Sequence, residues 1–133
     1  MLQTDKKVER PTSPHLQVYK LPITAKTSIL HRMAGAFLAI GTLLVTVFLS
    51  SAALGEDAYN CVMECLSSPI GKLALFAWSA ALFYHLTNGI RHMIWDTGAM
   101  LDKASSEKSG YVVIFIAAAL TAITWYCAMH CAG

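Results

Sequence analysis

The sequence predicts an all-α membrane protein: three transmembrane helices, N-terminus inside, an extended N-terminal arm and a short outer amphipathic helix. Three observations lead there. Of the 133 residues, 56% are hydrophobic and 14% charged, and the mean hydropathy is +0.51, far from the balance of a soluble domain. Three segments, Met33 to Leu54, Leu73 to Ile90 and Tyr111 to Cys131, match the length of about 20 apolar residues that crosses roughly 30 Å of hydrocarbon. Lipid offers no partner to backbone N–H and C=O groups, so such segments have to be helices.

The chain reads as one domain, 1–133. Residues 1–23 form an inner arm, and membrane helices are expected at about 24–54, 69–92 and 110–131. The arm holds Pro11, Pro14 and Pro22. Proline fixes φ and disfavours helix at the preceding residue, so the arm is extended, along a partner or the lipid headgroups. Pro22 and Thr24 mark a helix start. Ser28, His31 and Arg32 then fall on the first turns, spaced i, i+3, i+4 on one face at the inner membrane surface. Gly35-x-x-x-Ala39 on that helix permits close approach of another.

In the first loop, Glu56 and Asp57 suit the start of a short amphipathic helix, which Ser67, Ser68 and Pro69 end. Beyond the second span, Gly98 and the polar stretch Asp102 to Ser109 read as an inner loop. No signal peptide is expected, because the first 32 residues are polar with mixed charge. Nine of the ten Lys and Arg residues lie in the N-terminal region or the second loop, and Lys72 alone in the first loop. That asymmetry puts the N-terminus and second loop inside. The net charge of +2 selects no partner class, and no nucleic-acid partner is expected.

The second span ends unusually, in YHLTNGIRHMIWD, Tyr84 to Asp96. His85, Asn88, Gly89 and His92 share one broad face of a helix. His85 precedes Arg91 by six residues, which puts it about 9 Å inside the membrane. An ionisable residue there is a functional candidate. A neutral imidazole can ligate haem iron through one nitrogen. It can equally hydrogen-bond a neighbouring helix, and spacing alone leaves both readings open. Gly89 is expected to clear bulk where a flat macrocycle lies. Arg91, His92, His31 and Arg32 are expected at the surface, where anionic propionates emerge. Asp96 with Arg91 or His92 can also be a plain surface pair.

The stretch His85 to Gly98, H-x-x-x-G-I-R-H-M-x-W-D-x-G, resembles the signature of the cytochrome b membrane-anchor subunit of succinate dehydrogenase, respiratory complex II. A second stretch agrees: Arg10-Pro11, Leu16, Ile23, Ser28, His31 and Arg32 are similar to that family's N-terminal pattern, here RPTSPHL…SILHR. One departure is Ala34, where the family usually has Ser or Thr.

The resemblance implies a multi-pass inner-membrane subunit, bacterial or mitochondrial, paired with a second three-helix anchor subunit. The two would hold an iron–sulfur subunit and a flavoprotein subunit at the membrane. It implies haem b between the anchors, with one axial histidine from each; His85 matches this chain's ligand to the haem iron. It places His31, Arg32 and His92 near the propionates, and Ser28, Arg32 and Asp96 at a ubiquinone site. The chain would be non-catalytic alone. A fumarate reductase anchor, or a purely structural anchor without haem, is the alternative.

Cys61 and Cys65 in the outer loop, and Cys127 and Cys131 at the outer end of the third span, are each spaced i, i+4. They are expected to be reduced, because an i, i+4 pair on one helix is poorly oriented for a bridge and thiols in apolar surroundings are often inert; bridges between the outer helix and the third span are the alternative. Neither spacing is a zinc pattern, even with His130 nearby.

Overall fold

The computed structural model describes residues 20–131, so most of the arm, including Arg10, Pro11 and Leu16, lies outside the described residues. Four helices follow in order: α1, Ile23–Leu54; α2, Glu56–Ser67; α3, Pro69–Asp96; α4, Lys103–Cys131. α1, α3 and α4 are each long and apolar enough to cross a membrane. At about 1.5 Å per residue, α1 is about 48 Å long, so it outruns the hydrocarbon or tilts within it.

Pro22, with φ −62° and ψ 157°, sits just before α1, and its carbonyl accepts from Ala25 and Lys26. Gly55, at φ 116°, makes the sharp exit into α2, a backbone conformation that a side chain would strain. Glu56 and Asp57 occupy the first turn of α2, where acids oppose the positive end of the helix dipole. Ser68 caps α3: its hydroxyl accepts from the Gly71 N–H at 3.1 Å, with Pro69 at the first helical position.

The third span differs from the expectation. Its helix begins at Lys103 rather than near 110, so the polar stretch expected as loop is helical from there on. Asp102 is the reason. Its carboxylate accepts from the Ser105 N–H at 2.9 Å, which satisfies one free donor of the first turn, and its carbonyl accepts the first helical bond from the Ser106 N–H at 2.9 Å. Hydropathy marks where a helix enters lipid, not where it starts.

The packing is inverted relative to a soluble bundle. Among the described residues, the buried set is mainly polar: Thr27, Ser51, Thr87, Asn88, Arg91, Ser109 and Thr121, with Val113 and Ala117 as the apolar members. Large hydrophobics such as Ile40, Leu43, Phe115 and Met129 face outward, as they should where the solvent is lipid. Hydroxyls along the spans bond back to their own helix: Thr42 to Ala39, Thr46 to Thr42 and Thr121 to Ala117. No water is needed to satisfy them. One polar bond joins α3 to α4 nearer the α2 end, Trp125 Nε1–H donating to Ser79 Oγ at 2.9 Å.

Close approach of α1 to α3 rests on two glycines. Gly35 faces His85, where an added Cβ would lie 3.0 Å from the ring Cε1. Gly41, outside the expected Gly35-x-x-x-Ala39 pair, takes the Trp78 indole: a Cβ there would overlap its Nε1, Cδ1 and Cε2. Gly41→Ala therefore pushes a rigid bicyclic ring out of the seam, at a cost of about 1–3 kcal/mol. The expected result is a lower midpoint for heat-induced loss of the folded subunit, read by gel filtration after heating. An unchanged midpoint would mean the seam is loose.

Candidate functional site

The functional side chains gather where α1 and α3 meet, toward the α3–α4 connection. Tyr84 hydroxyl donates to the Thr27 carbonyl at 2.8 Å. One residue on, His85 Nδ1 lies 3.2 Å from the His31 carbonyl oxygen. Consecutive α3 side chains thus read carbonyls one turn apart on α1, fixing both rotation and height of α3 against it. A carbonyl can only accept, so His85 Nδ1 carries the proton and Nε2 keeps its lone pair. Nε2 has no hydrogen-bond partner among the described residues, and it is not one of the enclosed unpaired atoms.

His31 stacks on His85, ring centroids 4.0 Å apart and planes within 8°. His92 joins at 5.2 Å from His31, tilted by 44°. All three are half-buried. His31 Nδ1 is enclosed without a partner. Gly89 lies against His31 rather than over open space: a Cβ there would be 3.9 Å from His31 Cε1, an ordinary contact.

Of the other expected site residues, Ser28 is half-buried and Arg32 is exposed on the neighbouring stripe of α1, while Asp96 is exposed at the end of α3. None of the three makes a side-chain hydrogen bond among the described residues. The structure therefore brings His31, His85 and His92 together and leaves Arg32 and Asp96 exposed, with Ser28 half-buried apart from the cluster.

Arg91 departs from the expectation of a surface cation. It is only 4% exposed and is held by four hydrogen bonds. Nε donates to Ser109 Oγ at 2.8 Å, and Nη1 to Thr27 Oγ1 at 3.1 Å and to Asn88 Oδ1 at 3.2 Å. Nη2 donates to the Ser106 carbonyl at 2.8 Å. The guanidinium also lies 4.0 Å over the Trp95 ring, a cation–π geometry. Its planar fork thereby joins α1, α3 and α4. Asn88 turns inward with it, fully buried, because three residues place it about 60° round the helix from His85.

Sequence reasoning missed Thr27, Ser106 and Ser109 as partners. Their one available signal was the presence of hydroxyls close to the ends of the other spans on the same side as Arg91.

At the α2 end, Cys61, Cys65 and Cys127 are free and exposed; the side chain of Cys131 lies outside the described residues. His130 stacks on Tyr126 at 4.1 Å, with Nδ1 3.0 Å from the Tyr126 carbonyl. Among the described residues, no group of three His, Cys, Asp or Glu side chains could hold a bare metal ion. His85 Nε2 is the imidazole nitrogen left without a proton or a partner among the described residues.

Residues 6–124 match the family described as succinate dehydrogenase/fumarate reductase transmembrane subunit. The chain is 38% identical over 120 residues to the succinate dehydrogenase cytochrome b556 subunit of Paracoccus denitrificans, covering 88% of this chain and 92% of that one. It is 40% identical over 119 residues to the subunit of the same name from Rickettsia felis, with 88% and 91% covered. The succinate dehydrogenase cytochrome b560 subunit of Marchantia polymorpha is 38% identical over 120 residues, with 86% and 87% covered.

Proposed function

The chain belongs to the succinate dehydrogenase/fumarate reductase transmembrane subunit family, and on that premise we propose that it is a haem-binding anchor that helps pass electrons from succinate oxidation to ubiquinone. The observation that carries the reading is the His85 tautomer. Its Nδ1–H on the His31 carbonyl leaves Nε2 as the free donor, in a chain whose relatives are named cytochrome b subunits.

His85 would hold the haem iron from this chain, with a second three-helix anchor supplying the other histidine. His31, Arg32 and His92 would hold the haem propionates. Bound there, haem b supplies a one-electron carrier. The chain's own part is to hold the His85 ring in one orientation. The His31 stack covers one face, Gly35 clears the edge, and the His31 carbonyl fixes the tautomer. The partners are that anchor, an iron–sulfur subunit and a flavoprotein subunit, and the membrane is a bacterial cytoplasmic or mitochondrial inner membrane.

Ser28, Arg32 and Asp96 form this chain's share of the quinone site. A quinone taking up two electrons and two protons develops negative charge on its oxygens. The Arg32 guanidinium and the Ser28 hydroxyl would donate to it, with Asp96 near the same pocket. The exposure of Arg32 and Asp96 suits a site completed by another subunit. A reduced-minus-oxidised spectrum of the complex purified through this chain tests the haem; no cytochrome b bands would leave a purely structural anchor.

The quinone role has its own test. Arg32→Leu is expected to slow succinate-to-quinone turnover about tenfold or more, since a charge-assisted hydrogen bond contributes about 1.5–3 kcal/mol. Ser28→Ala slows it less. Reduction of an artificial acceptor at the flavin stays normal in both. Unchanged quinone turnover in both variants would reduce these residues to helix-face polar groups.

A further inference from the structure

Thr27 and Ser28 are neighbouring hydroxyls on α1 with opposite fates. Thr27 is fully buried. Its hydroxyl donates to the Thr24 carbonyl at 3.0 Å and accepts from Arg91 Nη1 at 3.1 Å. Ser28 is half-buried and makes no side-chain hydrogen bond among the described residues. One residue turns a helix by about 100°. The first hydroxyl therefore closes the seam with α3, and the second stays free beside it.

Two side chains of α3 converge on Thr27. Tyr84 hydroxyl donates to its carbonyl at 2.8 Å, and Arg91 donates to its hydroxyl. Tyr84 and Arg91 are two turns apart on one stripe of α3, about 10.5 Å along the axis. Asn88, also fully buried, stands between them, its Oδ1 accepting from the same Arg91 Nη1. Arg91 is held in turn to α4 by Ser109 Oγ and the Ser106 carbonyl. One α1 residue is thus gripped from two levels of α3 and, through Arg91, from α4. Contacts from two levels fix height and rotation together, which a single contact cannot. The His85 contact with the His31 carbonyl lies one turn further along α1. Thr27 is therefore the hold nearer the helix start, where Ser28 sits.

We propose that Thr27 is a positioning residue of the quinone site: by locking the start of α1 to α3, it sets where Ser28 and Arg32 present their donors. The inference rests on the quinone role proposed above for those two residues. Ser28 and Arg32 share the stripe of α1 one residue round from Thr27 and His31. Side-chain tips lie about 5–6 Å from a helix axis, so a rotation of about 10° carries them about 1 Å. A shift of that size is enough to misalign donors that orient a substrate. Thr27 does not donate to the quinone, because its hydroxyl is already committed to Thr24 and Arg91.

The test uses the whole complex purified through this chain, with decylubiquinone as acceptor and turnover expressed per flavin. Thr27→Val keeps the branched shape and removes the hydroxyl. It is expected to raise the KM for decylubiquinone about fivefold, the equivalent of one neutral hydrogen bond. Reduction of an artificial acceptor at the flavin stays normal. Thr27→Ser returns the hydroxyl and restores the KM. Tyr84→Phe leaves the Thr27 carbonyl its own helical partner and raises the KM in the same direction. It decides the matter if Thr27→Val does not assemble. A purely structural Thr27 would lower the midpoint of heat-induced disassembly and leave the KM of the surviving complex unchanged, and that result overturns the proposal. So does a Thr27→Ser variant as impaired as Thr27→Val. Ser28→Ala and Arg32→Leu are measured alongside. If they slow quinone turnover while Thr27→Val and Tyr84→Phe leave the KM unchanged, the positioning role alone falls. If none of the four variants affects the quinone, the quinone-site reading falls with it.

Discussion

In the complex purified through this chain, His85→Ala is expected to abolish the low-spin cytochrome b spectrum. Three losses coincide: the axial Nε2, the ring stacked 4.0 Å from His31, and the bond to the His31 carbonyl. The carbonyl keeps its own helical partner, so the backbone is not left unsatisfied. The space beside Gly35 opens into a cavity the size of an imidazole. Added imidazole should enter it and restore part of the spectrum, which separates loss of a ligand from loss of the fold. His31→Ala is the control. It removes the stack but keeps the carbonyl, so haem stays and the band or its midpoint potential shifts. Normal haem content in His85→Ala would end the ligand assignment.

Arg91→Leu is expected to destabilise the subunit by about 3 kcal/mol. Hydrogen bonds within membranes contribute about 0.6 kcal/mol each on average and up to about 1.7; four are lost together. Ser109 and Thr27 hydroxyls retain backbone acceptors at Ser106 and Thr24, but Asn88 Oδ1 is left buried without a donor. Removing a desolvated charge offsets part of this. The offset is small because an arginine near a helix end snorkels to water in the unpacked subunit. Arg91→Lys keeps the charge, cannot reach all three helices with one ammonium, and should fall between. The measurement is the midpoint of heat-induced loss of the assembled complex, followed by its cytochrome absorbance. A wild-type midpoint for Arg91→Leu would show that the helices do not depend on this clamp.

The sequence alone determined the three spans and the short helix between the first two. Each follows from a sum over neighbouring residues: apolar length for a span, acids and a Ser-Pro boundary for α2. The motifs from Ser28 to Arg32 and from His85 to Gly98 also pointed to the family that the comparisons then showed. Only the tertiary structure decided which way each polar side chain turns. Asn88 and Arg91 lie within six residues of His85, yet face inward because Thr27, Ser106 and Ser109 on other helices offer oxygens there. Gly41 matters because Trp78 arrives opposite it. The His85 tautomer depends on a carbonyl 54 residues away. Hydropathy and spacing are local quantities, whereas a hydrogen bond or a stack between helices is set by the rotation of one helix against another, and no window along one chain segment contains it.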